Sequence, residues 1–109
     1  MPLYLGRFSY ETDAVKAMVA NPQDRGKAAA EVAESLGGKL VGFWFALGEF
    51  DGVFLLDAPD NATAVALAMA VGAGGALSNL ETTVLLDMDE AQEAMRKAAG
   101  ATYRPPIPG

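Results

Sequence analysis

The segment KLVGFWFAL, residues 39–47, is apolar at both of its alternating sets of positions. In an extended strand, Val41, Phe43, Phe45 and Leu47 point to one face of a sheet. Leu40, Gly42, Trp44 and Ala46 point to the other. The next apolar run, VFLL at 53–56, repeats the pattern, with Val53 and Leu55 opposed to Phe54 and Leu56. An antiparallel sheet with one wet face alternates apolar and polar residues; here both faces need cover. A monomer seldom leaves bare an apolar patch beyond ~400 Å². Helices of the same chain can cover one face, and a second copy, packed sheet to sheet about a two-fold axis, covers the other. The alternative is a monomer whose short C-terminal helix folds over the second face, which is poor cover for a four-stranded sheet.

The remaining segments supply the order. LYLGRFSY, Leu3–Tyr10, reads as a strand. Thr12 or Asp13 caps a short helix over Ala14–Ala20. Asn21 caps a longer helix with Pro22 at its first position; it runs to Leu36, where Gly37-Gly38 stops it. Its inward stripe is Ala29, Val32, Ala33 and Leu36. The strands Lys39–Leu47 and Val53–Leu56 follow. Pro59, Asp60 and Asn61 open a helix over 62–73, apolar nearly all round and therefore expected to be well covered. Gly72–Asn79 is a loop and Leu80–Met88 a fourth strand. Asp89, with Gln92 in capping-box spacing, starts a last helix to Ala99. Prolines keep the tail TYRPPIPG extended. The order β-α-β-β-α-β predicts a ferredoxin-like plait with a C-terminal helix, α+β in class. The domain is 1–100 and the Pro-rich tail 101–109.

Composition narrows the chemistry. The chain has 109 residues, no cysteine, no histidine and a net charge of −6. One domain is expected. Thiolate chemistry, haem ligation by His or Cys and a Ser-His-Asp triad are excluded. A chain this acidic suits neither nucleic acid nor anionic membrane surfaces. The N-terminal MPLYLGRF lacks the basic and long apolar regions of a signal peptide, and no stretch approaches the ~20 apolar residues of a membrane span. A cytoplasmic protein without metal or cofactor is expected. The glycines of GAGG, 72–75, read as a helix stop and turn, lacking the Lys-Ser/Thr of a phosphate loop. The methionines Met18, Met69, Met88 and Met95 read as core filler.

The plait brings the chemistry to one end: Tyr10, Glu11, Arg25, the glycine loop and the turn GEFDGV, 48–53. Arg25 stands four residues before Ala29, on the inward stripe. A cation there needs a partner, and topology offers Glu49 or Asp51, although a substrate anion or water would also serve. The turn reads as a tight hairpin with Phe50 as an apolar rim anchor. Without histidine, Glu49, Asp51, Tyr10 and Glu81 are the acid–base candidates, and a carboxylate in an apolar pocket can serve as base. Glu81 also reads as an edge-strand charge, and Trp44 as interface packing. Arg25, Trp44, Phe50 and Arg7 are the candidate ligand contacts.

Three stretches carry a family resemblance: Gln23–Lys39, Phe43–Met69 and Gly75–Leu86. With the first strand they resemble the GYD-domain family over residues 3–90. The chain departs at Phe50, where the family signature has tyrosine, so it lacks that hydroxyl. The resemblance implies a dimeric α+β barrel and no settled general function. Relatives in that fold include cofactor-free monooxygenases, small-molecule isomerases, haem enzymes and ligand-sensing domains. The expectation is a homodimer or higher homo-oligomer that binds a small molecule, as an enzyme on an aromatic or polyketide-like substrate or as a non-catalytic sensing, accessory or oligomerisation module.

Overall fold

The structure is a computed structural model and describes residues 2–107. Its elements are β1 (Leu3–Tyr10), α1 (Thr12–Ala20), α2 (Arg25–Ser35), β2 (Lys39–Phe45), β3 (Gly52–Asp57), α3 (Asn61–Ala73), β4 (Leu77–Leu85) and α4 (Met88–Ala99). The sheet order is β2-β3-β1-β4, with every neighbour antiparallel. This is the expected ferredoxin-like plait.

Local hydrogen bonding moves several predicted boundaries. α1 starts at Thr12, after Glu11, and no side chain caps it. Asn21 and Pro22 stay outside α2, since the Gln23 amide donates to the Asn21 carbonyl at 3.2 Å. Asp24 is the true cap, accepting from the Gly26 N–H at 3.0 Å. α3 runs to Ala73 and β4 begins at Leu77, so only 74–76 of the expected Gly72–Asn79 loop is loop, and β4 ends at Leu85. Asp87 therefore caps α4 in place of Asp89, accepting from Glu90 N–H at 2.9 Å. Asp60 caps α3, accepting from Thr63 N–H at 2.9 Å.

In β2 strict alternation fails. Its pairing with β3 steps from Leu40↔Leu56 to Gly42↔Leu55, leaving Val41 as an extra residue. The bulge puts Leu40 on the same face as Phe43, against the core. Trp44 takes the opposite face, beside Val53. Both faces remain apolar. The inner one, under the helices, holds Tyr4, Phe8, Phe54 and Leu56, all buried. The outer carries Leu3, Leu5, Val53, Leu55, Trp44 and Leu85, half-buried or exposed.

The core joins Tyr4, Phe54, Leu56 and Ala58 of the sheet side to Ala33 of α2 and Ala64 and Leu67 of α3. Tyr4 is 1% exposed, and its hydroxyl donates to Asn61 Oδ1 at 2.7 Å, so its buried ring keeps a satisfied polar end. α3 is less covered than expected, because Val65 and Met69 turn away from the sheet into solvent. The methionines do not fill the core: Met69, Met88 and Met95 are exposed and Met18 is half-buried. α4 does not fold over the outer face; it is exposed along its length save for half-buried Ala91. Residues 101–107 are exposed and irregular, and the last two tail residues lie outside the described part. The radius of gyration, 17.8 Å, exceeds the ~13 Å of a compact chain this long, because α4 and the tail stand off the domain. Among the described residues no helix is long and apolar enough to cross a membrane.

Candidate functional site

A cavity of about 330 Å³ opens between the inner face of the sheet and helices α2 and α3. Its origin is a size mismatch. The strands present Phe8, Phe43 and Phe54, whereas the helices above them present Ala28, Ala29 and Ala70. Three rings cannot fill the space that larger helix residues would take up, and interiors otherwise pack without such voids. The rings brace one another: Phe8 lies 5.5 Å from Phe43 and 6.2 Å from Phe54, centroid to centroid. Val32, Val71, Leu77 and Leu80 complete an apolar wall.

Two polar side chains reach this cavity, Tyr10 and Arg25. Tyr10 ends β1 and stacks edge-on against Phe8 at 5.3 Å. Burial raises its hydroxyl above the ordinary tyrosine range. The Arg25 charge and hydrogen bond pull it down, and the Asp51 charge raises it again. The net effect is upward, so the hydroxyl stays protonated at neutral pH. Arg25 opens α2 on its inward stripe, as its spacing from Ala29 predicts, and is half-buried.

The partner expected for Arg25 is not the one it has. Its Nη1 donates to Gln23 Oε1 at 3.0 Å, and neither Glu49 nor Asp51 bridges it among the described residues. Asp51 is committed elsewhere: its Oδ2 accepts from the Tyr10 N–H at 2.9 Å, and its own N–H donates to the Phe8 carbonyl at 2.8 Å. The turn is thus tied to β1 and not to α2. It is also looser than a tight hairpin, since β2 ends at Phe45 and residues 46–51 connect the strands. Glu49 is exposed on it, its carbonyl accepting from the Ser9 hydroxyl at 3.4 Å.

The other sequence-predicted residues lie across the sheet. Glu81, Arg7, Val53 and Trp44 form one cross-strand row on the outer face. Arg7 Nη2 is 3.8 Å from Glu81 Oε1, and the guanidinium sits 4.8 Å from the centre of the Phe50 ring. Phe50 therefore anchors the turn on the outer face and does not rim the cavity. A second, more open hollow of about 430 Å³ lies beside the first and shares Tyr10 with it. Val15, Met18 and Val19 of α1, together with Phe45 and Asp51, line it. Sequence reasoning reached Tyr10 and Arg25 but missed Phe8, Phe43 and Phe54. The signal for them was the pairing of an aromatic strand face with an alanine stripe in α2.

A family model described as the GYD domain matches residues 4–95. Among solved structures, a transcriptional regulator from Neisseria meningitidis, in complex with L-Met, superposes with a TM-score of 0.55 at 11% identity. The match covers 80% of this chain and 51% of that one, so the chain spans about half the regulator's length. An uncharacterised NIPSNAP domain protein from Burkholderia xenovorans gives 0.48 at 16% identity, covering 80% and 94%. A NIPSNAP-like domain protein from the same organism gives 0.49 at 15%, covering 98% and 90%. No curated protein matches the sequence.

Proposed function

The chain belongs to the GYD domain family, and from that premise we propose that it is a homo-oligomeric small-molecule-binding domain whose ligand occupies the cavity under α2 and α3. The observation that carries this reading is the cavity itself: apolar walls, braced aromatic rings and two convergent polar groups. Its volume falls within the ~300–1,000 Å³ range of ligand pockets, and few polar groups in an apolar pocket is their usual chemistry. The Neisseria regulator, which shares the fold, is itself a small-molecule complex. Binding or sensing suits the site better than catalysis. Glu49 is exposed, Glu81 is on the other face and Asp51 holds a backbone amide, which leaves Tyr10 as the acid–base candidate in the cavity.

The same reading gives the outer face to a second copy, completing a dimeric α+β barrel. Trp44 is 53% exposed there, among Leu3, Leu5, Val53 and Leu55. A polar atom of Arg7, Nε, and one of Asp57, Oδ1, are buried without a partner among the described residues. Both residues lie on this face, and buried polar groups ordinarily find partners.

The test is native mass spectrometry of the purified protein beside Ala29→Phe, which fills the cavity from α2. The wild type is expected to carry a small-molecule adduct. The variant, with an unchanged circular dichroism spectrum, is expected to lose it. An adduct that persists in the filled variant contradicts the assignment.

A further inference from the structure

We propose that the cavity ligand is a monoanion, an apolar molecule ending in a carboxylate that Arg25 and Tyr10 hold together; this rests on the binding reading above. Two arginines of the chain are half-buried, Arg7 and Arg25. Arg7 has Glu81. Arg25 has no carboxylate among the described residues; its partners are neutral, the Gln23 amide oxygen at 3.0 Å and the Tyr10 hydroxyl. The chain carries fourteen carboxylates against eight cations, yet none of them bridges this half-buried cation among the described residues. Asp51, one of the two carboxylates the topology offered it, is bonded instead to the Tyr10 amide. A guanidinium lining an apolar cavity binds an anion more strongly than it would in water, because the low dielectric strengthens the attraction. Its planar fork fits a carboxylate through two parallel bonds.

Tyr10 fits the same occupant. Tyr10 lines the cavity with Arg25, and its hydroxyl, hydrogen-bonded to Arg25, keeps a proton to donate to the anion. One full charge and one neutral donor match a carboxylate. A phosphate, at nearly two charges and three acceptor oxygens, asks for more donors than these, and a protein of net charge −6 repels it more. The aromatic floor of Phe8, Phe43 and Phe54 takes the apolar body. At ~30 Å³ per water volume, 330 Å³ holds on the order of ten to fifteen non-hydrogen atoms, the size of an aryl-alkyl or medium-chain acid.

The experiment is titration calorimetry with matched pairs: 4-phenylbutanoate against 4-phenylbutanamide, and octanoate against octanamide. Each pair keeps the shape and removes the charge. The acids are expected to bind the wild type at least tenfold more tightly than the amides. Arg25→Gln is expected to abolish that preference without weakening the amides. Arg25→Lys, which keeps the charge but loses the fork, is expected to retain a reduced preference, and it serves should the glutamine variant fold poorly. Equal binding of acid and amide, a preference that survives in Arg25→Gln, or no binding by any of the four overturns the carboxylate assignment. Amide binding that Ala29→Phe abolishes keeps the cavity reading while the carboxylate falls. No binding by any probe, together with an adduct that Ala29→Phe does not remove, overturns both.

Discussion

At Gly6 and Gly52 the sheet has no room for a side chain. A Cβ at Gly6 would fall within the Phe54 ring, and one at Gly52 within the Phe8 ring. Each ring lies over its glycine neighbour, and this is how Phe8 and Phe54 both fit on the inner face. Gly6→Ala must push Phe54 into the cavity or off its rotamer. We expect a loss of about 1–3 kcal/mol in chemical denaturation. Tyr10 gives a second residue-scale prediction. Its folded pKa is raised, so its protonated form is favoured by folding. That contribution is whole below the unfolded pKa of about 10 and is lost as pH rises through the higher folded value. Urea midpoints measured from pH 8 upward should fall for the wild type beyond pH 10 and fall less for Tyr10→Phe. A steeper fall in the variant contradicts the assignment. Arg25's inward position was legible from its spacing to Ala29. Its partner was not, because Asp51's attachment to the Tyr10 amide depends on a cross-strand register that no local pattern encodes.

Among the elements, β1 was legible to the residue: Leu3–Tyr10 is aromatic-rich and bounded by an acidic stretch. The sheet order also followed from the element sequence alone. β2 was misread because period-two counting assumes no bulge. Val41 breaks the count and moves Leu40 to the core side. Deleting Val41 would leave Leu40 two positions before Phe43, on the same face and in the same register with Leu56 and Phe54, without a bulge. The shortened protein is expected to keep a cooperative thermal transition, and loss of that transition would show that the bulge itself is required. Helix starts were misplaced because several Asp and Asn residues compete as caps. Position decided among them: Asp24, Asp60 and Asp87 each accept from a backbone N–H two or three residues on, whereas Asn21 and Asp89 cap no helix start. Asp60 has its pKa lowered chiefly by its bonds to Thr63. Its contribution is thus present above the ordinary aspartate range and lost as pH falls through the depressed value. Asp60→Asn should flatten the acid limb of the stability profile, read by circular dichroism between pH 2 and 5.

For the molecule as a whole, the sheet has two apolar faces, and its own helices cover one of them. The inner belongs to α2, α3 and the cavity. The outer is left bare by its own chain, since α4 stands off the domain with Met88 and Met95 exposed. That both faces are greasy was plain in KLVGFWFAL and VFLL; the proposed cover of the outer one is a second molecule, which a single sequence does not display. Trp44→Glu places a charge at the centre of the proposed contact while leaving a half-exposed site of the monomer otherwise intact, and it is expected to give a folded monomer in gel filtration. The most direct measurement is sedimentation velocity of the unmodified protein at micromolar concentration. The account predicts a particle of at least twice the 11.3 kDa chain mass. A single well-behaved species at the mass of one chain would contradict it.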